Sequence, residues 1–122
     1  MAMDSAAIAA AAKANFARYR EAAPAVTAAF GELGKAVFKA GALDTATKEL
    51  IAFAIAICVR CEGCIVHHAR TLARLGVARE QVVEAVGVAI EMGGGPSTVY
   101  GPQALQAFDD FAARQVERSP AG

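Results

Sequence analysis

The run Cys61-Glu62-Gly63-Cys64-Ile65-Val66-His67-His68 gathers the residues best suited to chemistry. Two thiols three positions apart can close to a disulfide and open again to a dithiol. On a helix, at about 100° per residue, Cys61, Cys64 and His68 fall within roughly a 60° arc, and Leu72 and Leu75 lie in the same sector. The thiols and the imidazole are therefore expected on a face turned at least partly into the protein. Both cysteines stand in a first helical turn, where the positive end of the helix dipole favours a thiolate. His68, one turn beyond Cys64, is placed to take its proton or to pair with its thiolate.

Glu49 is the only acid between Asp44 and Glu62, and it opens the apolar stretch Leu50-Ile51-Ala52-Phe53-Ala54-Ile55-Ala56-Ile57. A carboxylate beside such a surface needs a partner. Two readings stand: a surface pair with Lys48 or Lys39, or a desolvated group that handles protons.

The neighbouring candidates divide in the same way. Cys58-x-x-Cys61-x-x-Cys64-x-x-x-His68 offers three sulfurs and an imidazole, a ligand count that suits zinc or an iron–sulfur cluster. A continuous helix would wrap these ligands too flatly for tetrahedral closure, so the expectation is no metal and no cofactor, with Cys58 packing as a small hydrophobe. His67 is either a partly exposed helix residue or part of a pocket wall. Gly93-Gly94-Gly95-Pro96 follows a helix and lacks a nearby Lys-Ser/Thr, so it reads as a helix break and not as a phosphate cradle. Tyr100 either hydrogen-bonds near the site or simply packs.

Breakers and caps place the elements that must hold these residues. An alanine-rich first helix is expected over about Ser5–Ala22. Pro24 suits the first turn of a second, carrying Val26, Phe30, Leu33, Val37 and Phe38 and stopping at Gly41, with Gly31 and Gly34 as points of close helix contact. Asp44 is the expected N-cap of a third, running through Glu49 to about Val59. A fourth continues through His68 and Leu72 to Leu75, closed by Gly76. The fifth spans about Ala78–Met92 with Val82, Val83, Val86 and Ile90 inward. The sixth runs from near Pro96 through Leu105, Phe108 and Phe111 to about Glu117, leaving Ser119–Gly122 as a frayed tail.

Lys48-Glu49-Leu50-Ile51-Ala52, then Cys61-x-x-Cys64-x-x-x-His68, Leu75-Gly76, Met92-Gly93-Gly94-Gly95-Pro96 and Tyr100 closely resemble the AhpD-like alkylhydroperoxidase members of the carboxymuconolactone decarboxylase family. The resemblance covers about residues 24–112 of a single domain spanning 1–122. It implies an all-α fold of about six helices that assembles as a homotrimer or homohexamer. It also implies a peroxiredoxin-type activity, in which a Cys61/Cys64 dithiol–disulfide cycle reduces hydroperoxides with Glu49 and His68 as proton relay. In that cycle His68 helps ionise Cys64, which attacks the peroxide, while Glu49 acts on Cys61 through a water. A lipoyl-bearing or thioredoxin-like protein would return the electrons. The decarboxylase branch lacks this cysteine pair, so the resemblance implies redox chemistry and not decarboxylation.

Gly63 departs from the founding peroxidase, which has a histidine immediately before its second cysteine. Two other readings therefore stay open. One is a thiol–disulfide oxidoreductase acting on an unknown partner without efficient peroxide turnover. The other is a non-enzymatic helical module whose cysteines sense redox state or support assembly.

Composition agrees with the helical class. Of 122 residues 31 are alanine, aromatics are 7% and tryptophan is absent, which favours closely packed helices over a sheet. Twelve basic and twelve acidic residues cancel, so no partner role with nucleic acid or membrane is expected. Three cysteines, an odd number, argue against a secreted disulfide framework. At the start, Asp4 precedes the apolar stretch and Lys13, Arg18 and Arg20 follow it, the reverse of a signal peptide's charge order. A cytoplasmic location is expected. Small alanine-rich helices bury little area each, and much of the 56% hydrophobic content is expected to seal contacts between subunits.

Overall fold

The computed structural model describes residues 3–118. These form α1 (Ser5–Ala22), α2 (Pro24–Phe38), α3 (Thr45–Cys58), α4 (Glu62–Arg74), α5 (Arg79–Gly93) and α6 (Gly95–Arg118), and no strand occurs among the described residues. The expected tail, Ser119–Gly122, lies outside the described residues. No helix among them is long and apolar enough to cross a membrane.

Helices α3 to α6 enclose the core. Phe53 and Ile57 of α3, Ile65, Val66 and Leu72 of α4, Val82 and Val86 of α5, and Phe108 of α6 meet there, nearly all fully buried. Alanine permits the close approach, with Ala69, Ala89, Ala104 and Ala107 buried between helices. At Gly101 a Cβ would stand 2.9 Å from Val86 Cγ1, so α5 and α6 touch where only glycine fits.

Local chemistry sets the ends of the helices. Asp4 caps α1 by accepting from the Ala7 N–H at 3.0 Å, and Asp44 caps α3 by accepting from the Thr47 N–H at 2.7 Å. The hydrogen bonds from Thr47 hold the Asp44 carboxyl below the usual carboxylate range. Helices α3 and α4 both end in a double carbonyl closure. Cys61 N–H reaches Ala56 O and Arg60 N–H reaches Ile57 O, each at 3.1 Å. Val77 N–H reaches Leu72 O and Gly76 N–H reaches Ala73 O in the same way. The pivot of this motif needs a left-handed residue. Gly76 supplies it at no steric cost with φ 72°, whereas Arg60 adopts φ 58° despite its Cβ. The turn at Arg60 leads straight from α3 into α4 and puts Cys61 at the junction.

Several expectations are corrected. Helix α2 ends at Phe38, short of Gly41, because α3 takes up its last carbonyls: Thr45 Oγ1 donates to Phe38 O at 2.7 Å, and Lys48 Nζ donates to Val37 O and Lys39 O at 2.8 and 2.6 Å. Gly31 and Gly34 are not points of close helix contact within the chain, since a Cβ at either meets nothing within 4 Å. Val83 and Leu75 are exposed where an inward position was expected. Val83 sits beside Val82 at a 100° offset, and Leu75 has already left the helix as its C-cap. Helix α2 packs mainly along α1 and α3. Its residues Val26, Phe30, Leu33 and Val37 stay exposed, Phe30 by 66%.

Candidate active site

The site forms where the C-terminal end of α2, the first turns of α3 and the N-terminal end of α4 meet. Cys61 is not helical, as its place in the 60° arc assumed. It is the N-cap of α4, with φ −98° and ψ 99°, and its Sγ accepts from the Cys64 N–H at 3.3 Å. The helical arc therefore describes Cys64 and His68 but not Cys61. The cap geometry instead folds the Cys61 side chain over the first turn. There the two sulfurs are joined as a disulfide with the α-carbons 5.2 Å apart. Cys64 is exposed and Cys61 half-buried.

Glu49 and His68 lie behind the pair. Glu49 sits in the first turns of α3 and is 95% removed from solvent, at 5% exposure. Its Oε2 is 2.6 Å from Nδ1 of His68, whose side chain is 15% exposed. The surface pairing of Glu49 with Lys48 or Lys39 is thereby excluded, since Lys48 is spent on the carbonyls at the end of α2. A carboxylate bound to Nδ1 fixes the imidazole ring and its tautomer and leaves Nε2 as the nitrogen that exchanges a proton. Phe38, the last residue of α2, closes the other side of the ring, with centroids 5.8 Å apart. In the sequence Phe38 reads only as one of the apolar residues of the second helix. Its role depends on where α2 ends, and that is decided by Thr45 and Lys48.

His67 stands edge-on to His68, with ring centroids 4.9 Å apart. It is exposed on α4, yet it also lines a groove between α1 and α4 together with Gly63. Partial desolvation pushes its pKa below the usual imidazole value, and the charges of His68 and Arg70 add to that. At Gly63 itself a Cβ would lie 3.9 Å from the Ala12 Cβ, so α1 borders the position where the founding peroxidase carries its extra histidine.

Cys58 is turned away from the pair. It is half-buried, donates to the Ala89 carbonyl at 3.4 Å across to α5, and would touch any side chain at Gly93. It packs with the core as a small hydrophobe. Among the described residues no three His, Cys, Asp or Glu side chains converge as a metal site. Tyr100 is half-buried and packs against the core.

Such an arrangement can hold two sulfurs that exchange electrons and, beside them, a fixed imidazole that exchanges protons. Comparisons with known proteins place the chain in a family. The model of the carboxymuconolactone decarboxylase family matches residues 24–115. A protein of Cupriavidus necator without an assigned function is 40% identical over 99 residues, spanning 81% of this chain and 88% of its own. Uncharacterized protein 4 in the cox locus of Paracoccus denitrificans is 42% identical over 83 residues, 68% of this chain and 75% of its own. A crystal structure of a family protein from Legionella pneumophila superposes with a TM-score of 0.86 at 42% identity, covering 88% of this chain and 96% of that one. One from Thermotoga maritima, for which a part in antioxidative response is suggested, does so with a TM-score of 0.75 at 25% identity, covering 93% and 95%. The chain belongs to the carboxymuconolactone decarboxylase family.

Proposed function

We propose that the protein is a thiol peroxidase of the alkylhydroperoxidase type. The observation that carries this reading is the buried Glu49–His68 pair set one helical turn behind a closed Cys61–Cys64 disulfide. A cysteine pair kept only for packing needs neither an exposed sulfur nor a histidine fixed by a buried carboxylate.

In the reduced protein, His68 takes the Cys64 proton through its free Nε2 while Glu49 stabilises the imidazolium. The Cys64 thiolate attacks the terminal peroxide oxygen. The S–O bond forms, the O–O bond breaks, and two electrons pass from sulfur to peroxide. The departing alkoxide takes the proton from His68 and leaves as the alcohol. Cys61 sits at the α4 N-cap, where the helix amides favour its thiolate. It attacks the Cys64 sulfenic sulfur, hydroxide departs and is protonated to water, and the disulfide closes. A dithiol donor, on a lipoyl-bearing or thioredoxin-like protein, attacks the exposed Cys64 sulfur and returns two electrons and two protons. The antioxidative role suggested for the Thermotoga maritima relative supports the same reading.

A second reading rests on Gly63. Without a histidine between the cysteines, the pair would serve thiol–disulfide exchange with a protein partner and reduce peroxide poorly. Turnover of an organic hydroperoxide with lipoamide-type and thioredoxin-type donors separates the two. Catalytic peroxide consumption that depends on both cysteines supports the peroxidase. Disulfide exchange with a donor but no peroxide consumption supports the second reading.

The reading includes self-association as a homotrimer or homohexamer. The exposed apolar face of α2 supports it, as do exposed Ile51, Ile55 and Val59 on and beyond α3.

A further inference from the structure

The face of α4 beside the cysteine pair opens on a groove of about 510 Å³ between α1 and α4. Gly63, which stands between Cys61 and Cys64 in the chain, forms part of its wall, as does His67 beside His68. Small residues keep the groove open, with Ala9 and Ala12 along α1. A second cavity of about 360 Å³ shares Ala9, Lys13 and Arg70 with the first and adds Arg74 and Arg114. The two form one trough along α1, about 20 Å long at 1.5 Å per residue.

Its charge is one-sided. Lys13, Arg20, Arg70, Arg74 and Arg114 all line the trough, and among the described residues no acid does. No described carboxylate lies within ion-pair distance of any of the five. Arg20 and Arg114 instead rest over the rings of Phe16 and Phe111, at 5.6 and 5.0 Å from the centroids. With twelve acids and twelve bases in the whole chain, this is segregation of charge and not a basic composition. Clustered cations without counter-charges repel one another, and a bound anion relieves that repulsion. The floor is nevertheless apolar, made by alanines with Phe16 and Val66. A small inorganic anion would leave that floor wet, and an acidic peptide would meet the charge but not the floor. An aliphatic chain ending in a carboxylate matches both.

We propose that the α1/α4 trough binds aliphatic carboxylates. The anionic end sits between Lys13 and Arg70, and the chain runs past Val66 toward Gly63. Resting on the peroxidase reading, this makes the preferred substrate a hydroperoxide that carries a carboxylate.

Binding is measured first, by calorimetric titration of the oxidised protein, whose Cys61–Cys64 pair is closed, with octanoate and with octan-1-ol. Octanoate is expected to bind about fivefold more tightly, a difference of about 1 kcal/mol, the upper end of what one accessible charge pair contributes. Arg70→Gln and, separately, Lys13→Gln should each remove most of that preference while leaving helical content unchanged and without lowering the thermal unfolding temperature. Equal binding of the acid and the alcohol, or binding indifferent to both substitutions, overturns the proposal. So does saturation of the trough by an acidic peptide with no binding of octanoate. Turnover comes second. Arg70→Gln should raise KM about fivefold for a fatty-acid hydroperoxide, leave kcat unchanged, and leave cumene hydroperoxide unaffected. Octanoate binding without any peroxide turnover would sustain the trough and overturn the peroxidase reading, so the two claims fail separately.

Discussion

Oε2 of Glu49 lies 2.6 Å from Nδ1 of His68, and both groups are largely withdrawn from solvent. The contact joins α3 to α4 and fixes the imidazole of His68, one turn beyond Cys64. Glu49→Gln keeps the shape but replaces the carboxylate by an amide that cannot stabilise an imidazolium. Peroxide turnover is expected to fall by about 10²-fold or more, the usual weight of a positioned acid–base group. Glu49→Ala, which also removes the hydrogen bond, should cost about 2 kcal/mol in urea unfolding. Turnover within a factor of two of the parent in Glu49→Gln would remove the pair from the reaction.

His67 titrates below the usual imidazole range, first because it is partly desolvated and then because His68 and Arg70 repel its charged form. The unfolded chain therefore takes up this proton at higher pH than the folded one. The resulting stability is complete above the unfolded pKa of about 6.5 and is lost as pH falls through the lower folded value. Proton NMR should show the His67 midpoint below 6.5 and should show it rising in Arg70→Gln. A midpoint at or above 6.5 in the parent contradicts this account.

The α5–α6 contact gives a test of packing alone. A Cβ at Gly101 would stand 2.9 Å from Val86 Cγ1 and 3.4 Å from Ile90 Cγ1. Gly101→Val must push those branched side chains aside and is expected to cost about 1–3 kcal/mol. Denaturant unfolding reads it directly, and an unchanged midpoint would mean the helices part more easily than this contact implies.

The apolar face of α2 tests the assembly. Phe30→Glu places a charge in the middle of an exposed face that the fold leaves without a partner. Sedimentation should show the parent as an oligomer and the variant shifted toward protomer, while helical content stays the same. A monomeric parent would remove self-association from the account.

Much of this was legible in the sequence where one residue type decides the local outcome. Pro24, Asp44 and Gly76 mark helix ends by their own chemistry, and the structure puts caps or turns at each. Cys61, Cys64, His68 and Glu49 stood out for the same reason. What stayed illegible depends on contacts between distant segments. The partner of Glu49 is nineteen residues away, and proximity in sequence favoured Lys48, which in fact caps α2. The exit of Cys61 from the helix hinges on Arg60 adopting a left-handed backbone that its side chain does not advertise. The basic trough was hidden because its charges are scattered from Lys13 to Arg114 in a chain with no net charge.

The central claim is that Cys64 attacks a hydroperoxide and Cys61 resolves the product. Rapid mixing of the reduced protein with one equivalent of cumene hydroperoxide, with the alcohol released in the first turnover as readout, tests it most directly. Cys61→Ser should release alcohol once and stop as a trappable sulfenic acid, and Cys64→Ser should release none. If both variants keep the first turnover, or the reduced parent releases no alcohol, the account is contradicted.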